Sequence, residues 1–334
     1  MDSGNHKTIL VSPLEWGLGH TVRVVPFIVK ALQEGHQVIL ASDGPSLNFL
    51  RYRFPDLFWI RMPFYQVRYP DSGRFFSKLI PQIPGILMAI YRNHQQVAEI
   101  VAKYQINEII CDHRYGLYYK GVHSIFITNQ LWLKAPDGWS FGEGFIYWVH
   151  RLILNRYSEI WIADYAGNQN LSGLLTHPPK LPQNARYIGP VSRFQGVVAE
   201  QPRYAQPFEV LALVSGPEPQ RTIFEDLLKH RFRKNGTMSV ILRGLPQSSP
   251  DKTPLIVQDG SILMIDHAID EHILWYITQA KEIICRPGNS TLSDLKWLGK
   301  GALLVPTPGQ TEQEYVAGHL ESGGLFRVTT QDVL

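Results

Sequence analysis

The chain is 334 residues long, enough for two domains that each bury a core. With 44% hydrophobic and 18% charged residues it is neither a disordered chain nor a bundle of membrane spans. No apolar run reaches the roughly 18 residues that a spanning helix needs. A net charge of +3 is too weak to argue for nucleic acid, and two cysteines cannot build a disulfide framework or a metal site of their own. The polar start MDSGNHK reads as no secretion signal, which points to a cytoplasmic protein.

In chain order, Thr8 to Val11 is an apolar strand, followed by the glycine-rich loop Ser12 to His20. The segment Thr21 to Glu34 carries apolar residues at helical spacing (Val24, Val25, Ile28, Ala31, Leu32) and stops at Gly35. Val38 to Ala41 is the next strand. The opening is thus a Rossmann-like βαβ unit. The dinucleotide fingerprint fails at its third glycine, where Val22 stands, which disfavours a nicotinamide dinucleotide. Strand and helix go on alternating through Phe58 to Ile60, a helix near Gly85 to Lys103, and strands Glu108 to Cys111 and Ser124 to Thr128.

Asp112, His113, Asn129 and Gln130 follow strand carboxyl ends, where ligands of such folds collect. Asp112 with His113 reads as an acid or base pair, an acceptor contact, the start of a metal site or an ordinary polar loop. No third ligand stands at a recognisable spacing, so no metal is expected.

Two stretches are rich in aromatic and basic side chains. Phe64 to Met88 holds Tyr65, Arg68, Tyr69, Arg74, Phe75, Phe76, Lys78, Leu79 and Ile80. Gly138 to Leu154 holds Trp139, Phe141, Phe145, Tyr147, Trp148, His150 and Arg151. Such mixtures suit a lipid–water boundary, and equally an interdomain surface, a dimer surface or a core.

Glu159 to Ala163 and Ala185 to Ile188 are strands, the latter running into Gly189-Pro190-Val191-Ser192-Arg193. The proline-punctuated segment GVVAEQPRYAQP, Gly196 to Pro207, marks a domain boundary, giving domains 1–200 and 201–334. The second domain opens with strand Glu209 to Val214, loop Ser215 to Gln220 and a helix over Arg221 to His230. Strands Ser239 to Leu242 and Ile262 to Ile265 and a helix over Glu271 to Ala280 follow. Arg243 ends a strand and reads as crevice-facing or solvated.

The stretch IICRPGNSTLSDLKWLGKGALLVPTPGQTEQEYVAGH, Ile283 to His319, is the most informative. A strand ends at Cys285, and Ser290 or Thr291 can cap a helix over Thr291 to Leu298 that stops at Gly299. A strand over Ala302 to Val305 ends at Pro306, and a helix starts near Glu312. Both helix amino termini favour an anion such as a diphosphate. Asp294, expected in the first turn of its helix, and Gln313-Glu314 can accept hydrogen bonds from sugar hydroxyls. Any βαβ unit carries polar loops there, so loop chemistry alone leaves the matter open.

Cys285 to Asp294, the strand Leu303 to Pro306 and the pair Gln313-Glu314 together resemble the donor-binding half of GT-B glycosyltransferases of the family 28 type, which includes the peptidoglycan N-acetylglucosaminyltransferase. The loop Gly17-Leu18-Gly19-His20 resembles the amino-terminal loop of the same enzymes. The resemblance implies an α/β protein of two Rossmann-like domains facing a cleft, acceptor in the first and nucleotide sugar in the second.

It implies that Gly288, Asn289 and Ser290 approach the diphosphate with Arg193, Ser215 and Gly216, and that Arg243 faces the same crevice. Asp294 would take the ribose, Ala268 and Ile269 would lie against the base, and Gln313 and Glu314 would meet the sugar. Gly17 and Gly19 would let the acceptor approach backbone N–H groups, with Asp112, His113 and Asn129 around it. His20 would be the general base, a task suited to imidazole; acceptor positioning and scaffolding are its alternatives.

The family carries Glu where Asp294 stands and often Gln where Glu314 stands. It also finishes with a helix crossing back to the first domain, whereas here only Thr329-Thr330-Gln331 suggests a helix start.

The function implied is inverting, metal-independent and cofactor-free transfer from a nucleotide-diphosphate donor such as a UDP-sugar to a hydroxyl acceptor, lipid-linked or small, at the inner face of a membrane. A nucleotide-sugar epimerase or hydrolase and a non-catalytic nucleotide-sugar-binding module are the alternatives.

Overall fold

The computed structural model describes residues 6–65, 67, 80–134, 142–245 and 255–334. Among them the chain divides into two compact units, one ending at Val191 and one beginning at Ser192.

In the first unit the strands are β1 (Thr8–Pro13), β2 (Gln37–Ser42), β3 (Phe58–Arg61), β4 (Glu108–Asp112), β5 (His123–Thr128), β6 (Glu159–Ile162) and β7 (Ala185–Tyr187). Its helices include α1 (Leu18–Gln33), α2 (Gly44–Arg53), α3 (Ile83–Tyr104) and α4 (Glu143–Leu154). The sheet runs β3-β2-β1-β4-β5-β6-β7 with parallel pairing throughout. Near-continuous apolar strands fit this, because a parallel sheet is covered on both faces. Alternate residues feed opposite cores: Leu10, Ile109, Cys111 and Phe126 enter one cluster, and Ile9, Val11, Ile110, Ile125 and Ile127 the other. The strand order reverses between β1 and β4. There Pro13 pairs with Asp112, so the loops after these two strands leave the sheet side by side.

The second unit repeats the scheme with β8 (Val210–Leu213), β9 (Ser239–Leu242), β10 (Ile256–Asp259), β11 (Ile262–Ile265), β12 (Glu282–Cys285), β13 (Ala302–Leu304) and β14 (Phe326–Val328). Its helices are α5 (Gln220–Asn235), α6 (Asp270–Gln279), α7 (Asn289–Trp297) and α8 (Thr311–Glu321). The order is β10-β11-β9-β8-β12-β13-β14, parallel except for β10 against β11. The reversal lies between β8 and β12.

Several expectations change. Helix α2, headed by Gly44-Pro45, lies in a stretch to which no element was assigned, and helix α4 in one read only as an aromatic patch. Edge strands β10 and β14 escaped notice. The capping residue of α7 is Gly288, with no side-chain cap, so Ser290 and Thr291 lie inside the helix instead of capping it. The segment after Thr329 forms a turn, not a helix start.

Candidate active site

In the first unit the site grows from the β1–β4 junction. Helix α1 begins behind Gly17, whose φ of 92° suits glycine, and no side chain caps it. Gly19 and His20 therefore fall in its first turn, at the carboxyl end of the sheet. His20 Nδ1 lies 2.6 Å from Asp112 Oδ1, so the ring donates there and presents Nε2 as the free acceptor. Arg23, one turn along the same helix face, places Nη1 3.2 Å from Asp112 Oδ2. Asp112 and Arg23 are buried, while the His20 side chain keeps 19% exposure.

Asp112 is 0% exposed, and its carboxylate faces His20 and Arg23. Arg23 escaped the sequence reading, although a lone charge inside Val22 to Val25, three residues from His20, was its signal.

His113 is held at a φ of 50°. Its Nε2 accepts the Asn129 N–H at 3.1 Å and lies 3.0 Å from Thr128 Oγ1, with its ring centroid 4.8 Å from that of His20. Burial first, then the neighbouring His20 and Arg23, hold its pKa well below the usual imidazole range. Asn129, itself buried, thus serves His113.

His20, Asp112 and His113 present ligand-type atoms within 4.8 Å of one another. The third donor, missing from the spacing around Asp112, arrives from the first turn of α1. Donor chemistry still fits a cation poorly. Nε2 of His113 is occupied by a backbone N–H, which puts the ring proton on Nδ1, and Arg23 already sets a positive charge on Asp112.

In the second unit, Ser215 and Gly216 follow β8 and are exposed, and Gly216 adopts a φ of 112°. Gly288, Asn289 and Ser290 form the half-buried start of α7 beside them in the topology, because β8 pairs with β12. No side chain of the capping residue closes the start of α7, because that residue is Gly288. A Cβ at Gly288 would meet nothing within 4 Å, so the backbone there is open. Ala268 is buried and Ile269 precedes α6.

Other residues expected on the donor side are already engaged within the protein. Asp294 stands in the second turn of α7, not the first, and is 3% exposed. Its Oδ1 accepts from Ser192 Oγ (2.7 Å) and the Arg193 N–H (3.2 Å), and its Oδ2 from Arg193 Nε (3.1 Å). Arg193 also lies 3.7 Å from Asp270. Burial pushes the Asp294 carboxyl up, against the pull of Arg193 and Ser192. The bonds from Ser192 and Arg193 tie the start of this unit into its own fold.

Arg243 is bound to Glu225 (3.0 Å) and Asp266 (2.5 Å). Gln313 Oε1 accepts the Thr307 N–H and Glu314 Oε1 the Gly309 N–H, bracing the loop that precedes α8.

Of the aromatic stretches, Arg68, Tyr69, Arg74, Phe75, Phe76, Lys78, Leu79, Trp139 and Phe141 lie outside the described residues. Tyr147 and His150 are buried, His150 between Tyr115 Oη and the Leu131 carbonyl. Phe145, Trp148, Val149 and Leu152 form an exposed stripe on α4, and Ile83, Leu87, Met88 and Tyr91 are exposed on α3.

No family model matches the sequence, and no curated protein matches it. Solved structures do. The glycotransferase of kitacinnamycin aligns over 98% of this chain and 87% of its own, with a TM-score of 0.63 at 13% identity. MurG of Acinetobacter baumannii gives 98%, 87%, 0.56 and 13%. The glycosyltransferase SnogD from Streptomyces nogalater gives 98%, 88%, 0.60 and 12%. The chain therefore has the GT-B fold of two Rossmann-like domains.

Proposed function

We propose that the protein is a glycosyltransferase that moves a sugar, with inversion, from a nucleotide-diphosphate donor to a hydroxyl acceptor. The observation that carries this reading is His20 Nδ1 on buried Asp112, at the switch point of the first sheet. Asp112 fixes the tautomer, leaving Nε2 to take the acceptor proton as the new bond forms, and it stabilises the imidazolium that results. The open start of α7 with Ser215 and Gly216 suits the diphosphate, and the helix dipole stabilises the charge of the leaving group. A UDP-sugar is the donor this reading favours, and neither metal nor cofactor is required for the charge.

A thermal-shift panel of UDP-, TDP- and GDP-sugars and their free nucleotides, with and without EDTA, tests it. One nucleoside diphosphate should stabilise the protein by about 2.7 kcal/mol at 100 times its dissociation constant, indifferent to EDTA. Silence across the panel would remove the donor site, and donor turnover without an acceptor would make the enzyme a hydrolase.

The acceptor in this reading is lipid-linked, and the protein works at the cytoplasmic face of a membrane. Support comes from the stripe Phe145, Trp148, Val149 and Leu152, spaced as one face of α4, with Phe145 68% exposed. Tyr91 at 60% and Met88 at 52% add a second apolar face on α3, next to exposed Arg92. No helix among the described residues is long and apolar enough to cross a membrane. Liposomes containing anionic lipid should sediment the protein at low salt, and Phe145→Asp with Trp148→Asp should abolish it. A protein that stays in the supernatant sinks the membrane part of the reading.

A further inference from the structure

A buried ion pair, Arg114 with Glu15, lies next to the segment that leads from β1 to His20. Arg114 follows Asp112 by two residues and is wholly buried, as is nearly all of the Glu15 side chain at 4% exposure. Arg114 Nη1 donates to Glu15 Oε1 at 3.1 Å. The rest of the guanidinium is fixed: Nε and Nη2 donate to Asn93 Oδ1 (3.1 and 3.0 Å), Nη2 also to the Met62 carbonyl, and Nη1 to the Ala41 carbonyl (3.5 Å). The Phe64 ring lies 5.6 Å from its carbon. These contacts come from α3, from β2 and from the segment after β3, so the cation has no room to swing.

We infer that Glu15 and Arg114 are positioning residues that set the loop carrying His20. The segment Asp112 to Arg114 grips that loop at both ends, with Asp112 on the imidazole and Arg114 on Glu15. Just before Glu15, the Leu14 N–H donates to the Asp112 carbonyl (2.9 Å), and between the grips Trp16 Nε1 donates to the Tyr65 carbonyl (2.8 Å). Gly17, at a φ of 92°, is the swivel that converts this fixed loop into the start of α1.

Without Glu15 held, rotation at Gly17 lets the imidazole leave Asp112, and the Nδ1–H tautomer is no longer enforced. Buried ion pairs are poor stabilisers, since desolvation offsets their attraction, so such a pair beside the site is better explained by geometry than by stability. Burial pushes the Glu15 carboxyl up and Arg114 opposes it.

The rate readout rests on the glycosyl-transfer reading; the imidazole readout does not. In the full chain, the His20 ring resonances, assigned by their loss in His20→Ala, should shift and titrate differently in Glu15→Gln. Glu15→Asp, which keeps the charge, should recover part of the difference. Unchanged His20 resonances in a folded Glu15→Gln variant would overturn the inference.

With the nucleotide sugar that gives the largest thermal shift, Glu15→Gln should lower kcat roughly 10- to 100-fold with donor KM unchanged. In a His20→Ala background the same change should cost nothing further. Equal losses in both backgrounds would reduce Glu15 to a structural role. A wild type without transfer would sink the reaction and leave the resonance test standing.

Discussion

His20→Ala should cut turnover by roughly 100- to 10,000-fold and leave nucleoside-diphosphate affinity unchanged. The size follows from what the ring does at the carboxyl end of the first sheet. Its Nδ1–H is committed to Asp112 at 2.6 Å, so the lone pair at Nε2 is oriented before the acceptor arrives. Alanine removes that proton acceptor and leaves the Asp112 carboxylate with Arg23. Nucleotide affinity stays because the elements read as the donor site, Ser215-Gly216 and the start of α7, belong to the second unit.

Asp112→Asn separates orientation from mere presence. The amide can still meet Nδ1, but it no longer enforces one tautomer or stabilises an imidazolium, so kcat should fall with acceptor KM little changed. Initial rates and calorimetric titration of the nucleotide measure both claims. Full activity in His20→Ala would end the assignment of His20 as base.

The architecture was legible because its signals are local. Apolar runs of four to six residues, each ended by a polar or charged residue, located β1, β4, β8, β9, β11 and β12 to within a residue or two. Two elements were hidden by composition. Helix α4 runs against the usual pattern: its buried face carries Glu143 and His150 beside Tyr147 and Leu154, while Phe145, Trp148 and Leu152 are exposed, so its apolar stripe does not mark the side that packs inwards. Strand β10 is a short edge strand, half-buried, with polar Gln258 and Asp259.

At the site, the strand-end rule pointed to Asp112 and His113 and the resemblance to His20, but neither said who binds whom. The pairing of His20 with Asp112 spans 92 positions and depends on the register that sets Pro13 beside Asp112. Arg114 and Glu15 were invisible for the same reason, since a buried pair is a property of packing and not of spacing. The bonds of Asp294 were not legible, because a carboxylate near a helix start looks alike in sequence whether it faces solvent or, as here, an arginine from a remote segment.

Asp294→Ala should destabilise the protein by about 3–5 kcal/mol, because it leaves Arg193, which is largely buried, facing only the longer contact to Asp270. For a domain of this size that is a fall in melting temperature on the order of 10 °C. A carboxylate that met ribose hydroxyls would behave differently: its loss would cost several-fold in nucleotide affinity and little stability.

Three variants separate the two cases. In Asp294→Asn the amide oxygen can still accept from Ser192 Oγ and the Arg193 N–H, but the charge opposite the guanidinium is gone, so the loss should be intermediate. Arg193→Met with Asp294→Leu removes both charges at similar volume and should recover most of the stability lost in Asp294→Ala, since the cost of a broken buried pair lies in the partner left behind. An Asp294→Ala protein that melts with the wild type but binds nucleoside diphosphate weakly would return Asp294 to the ribose. Recovery in the double variant would instead make Asp294 the residue that anchors Ser192 and Arg193 at the start of the second unit, and the ribose contact would have to be sought at the exposed loop after β8 and the open turn of α7.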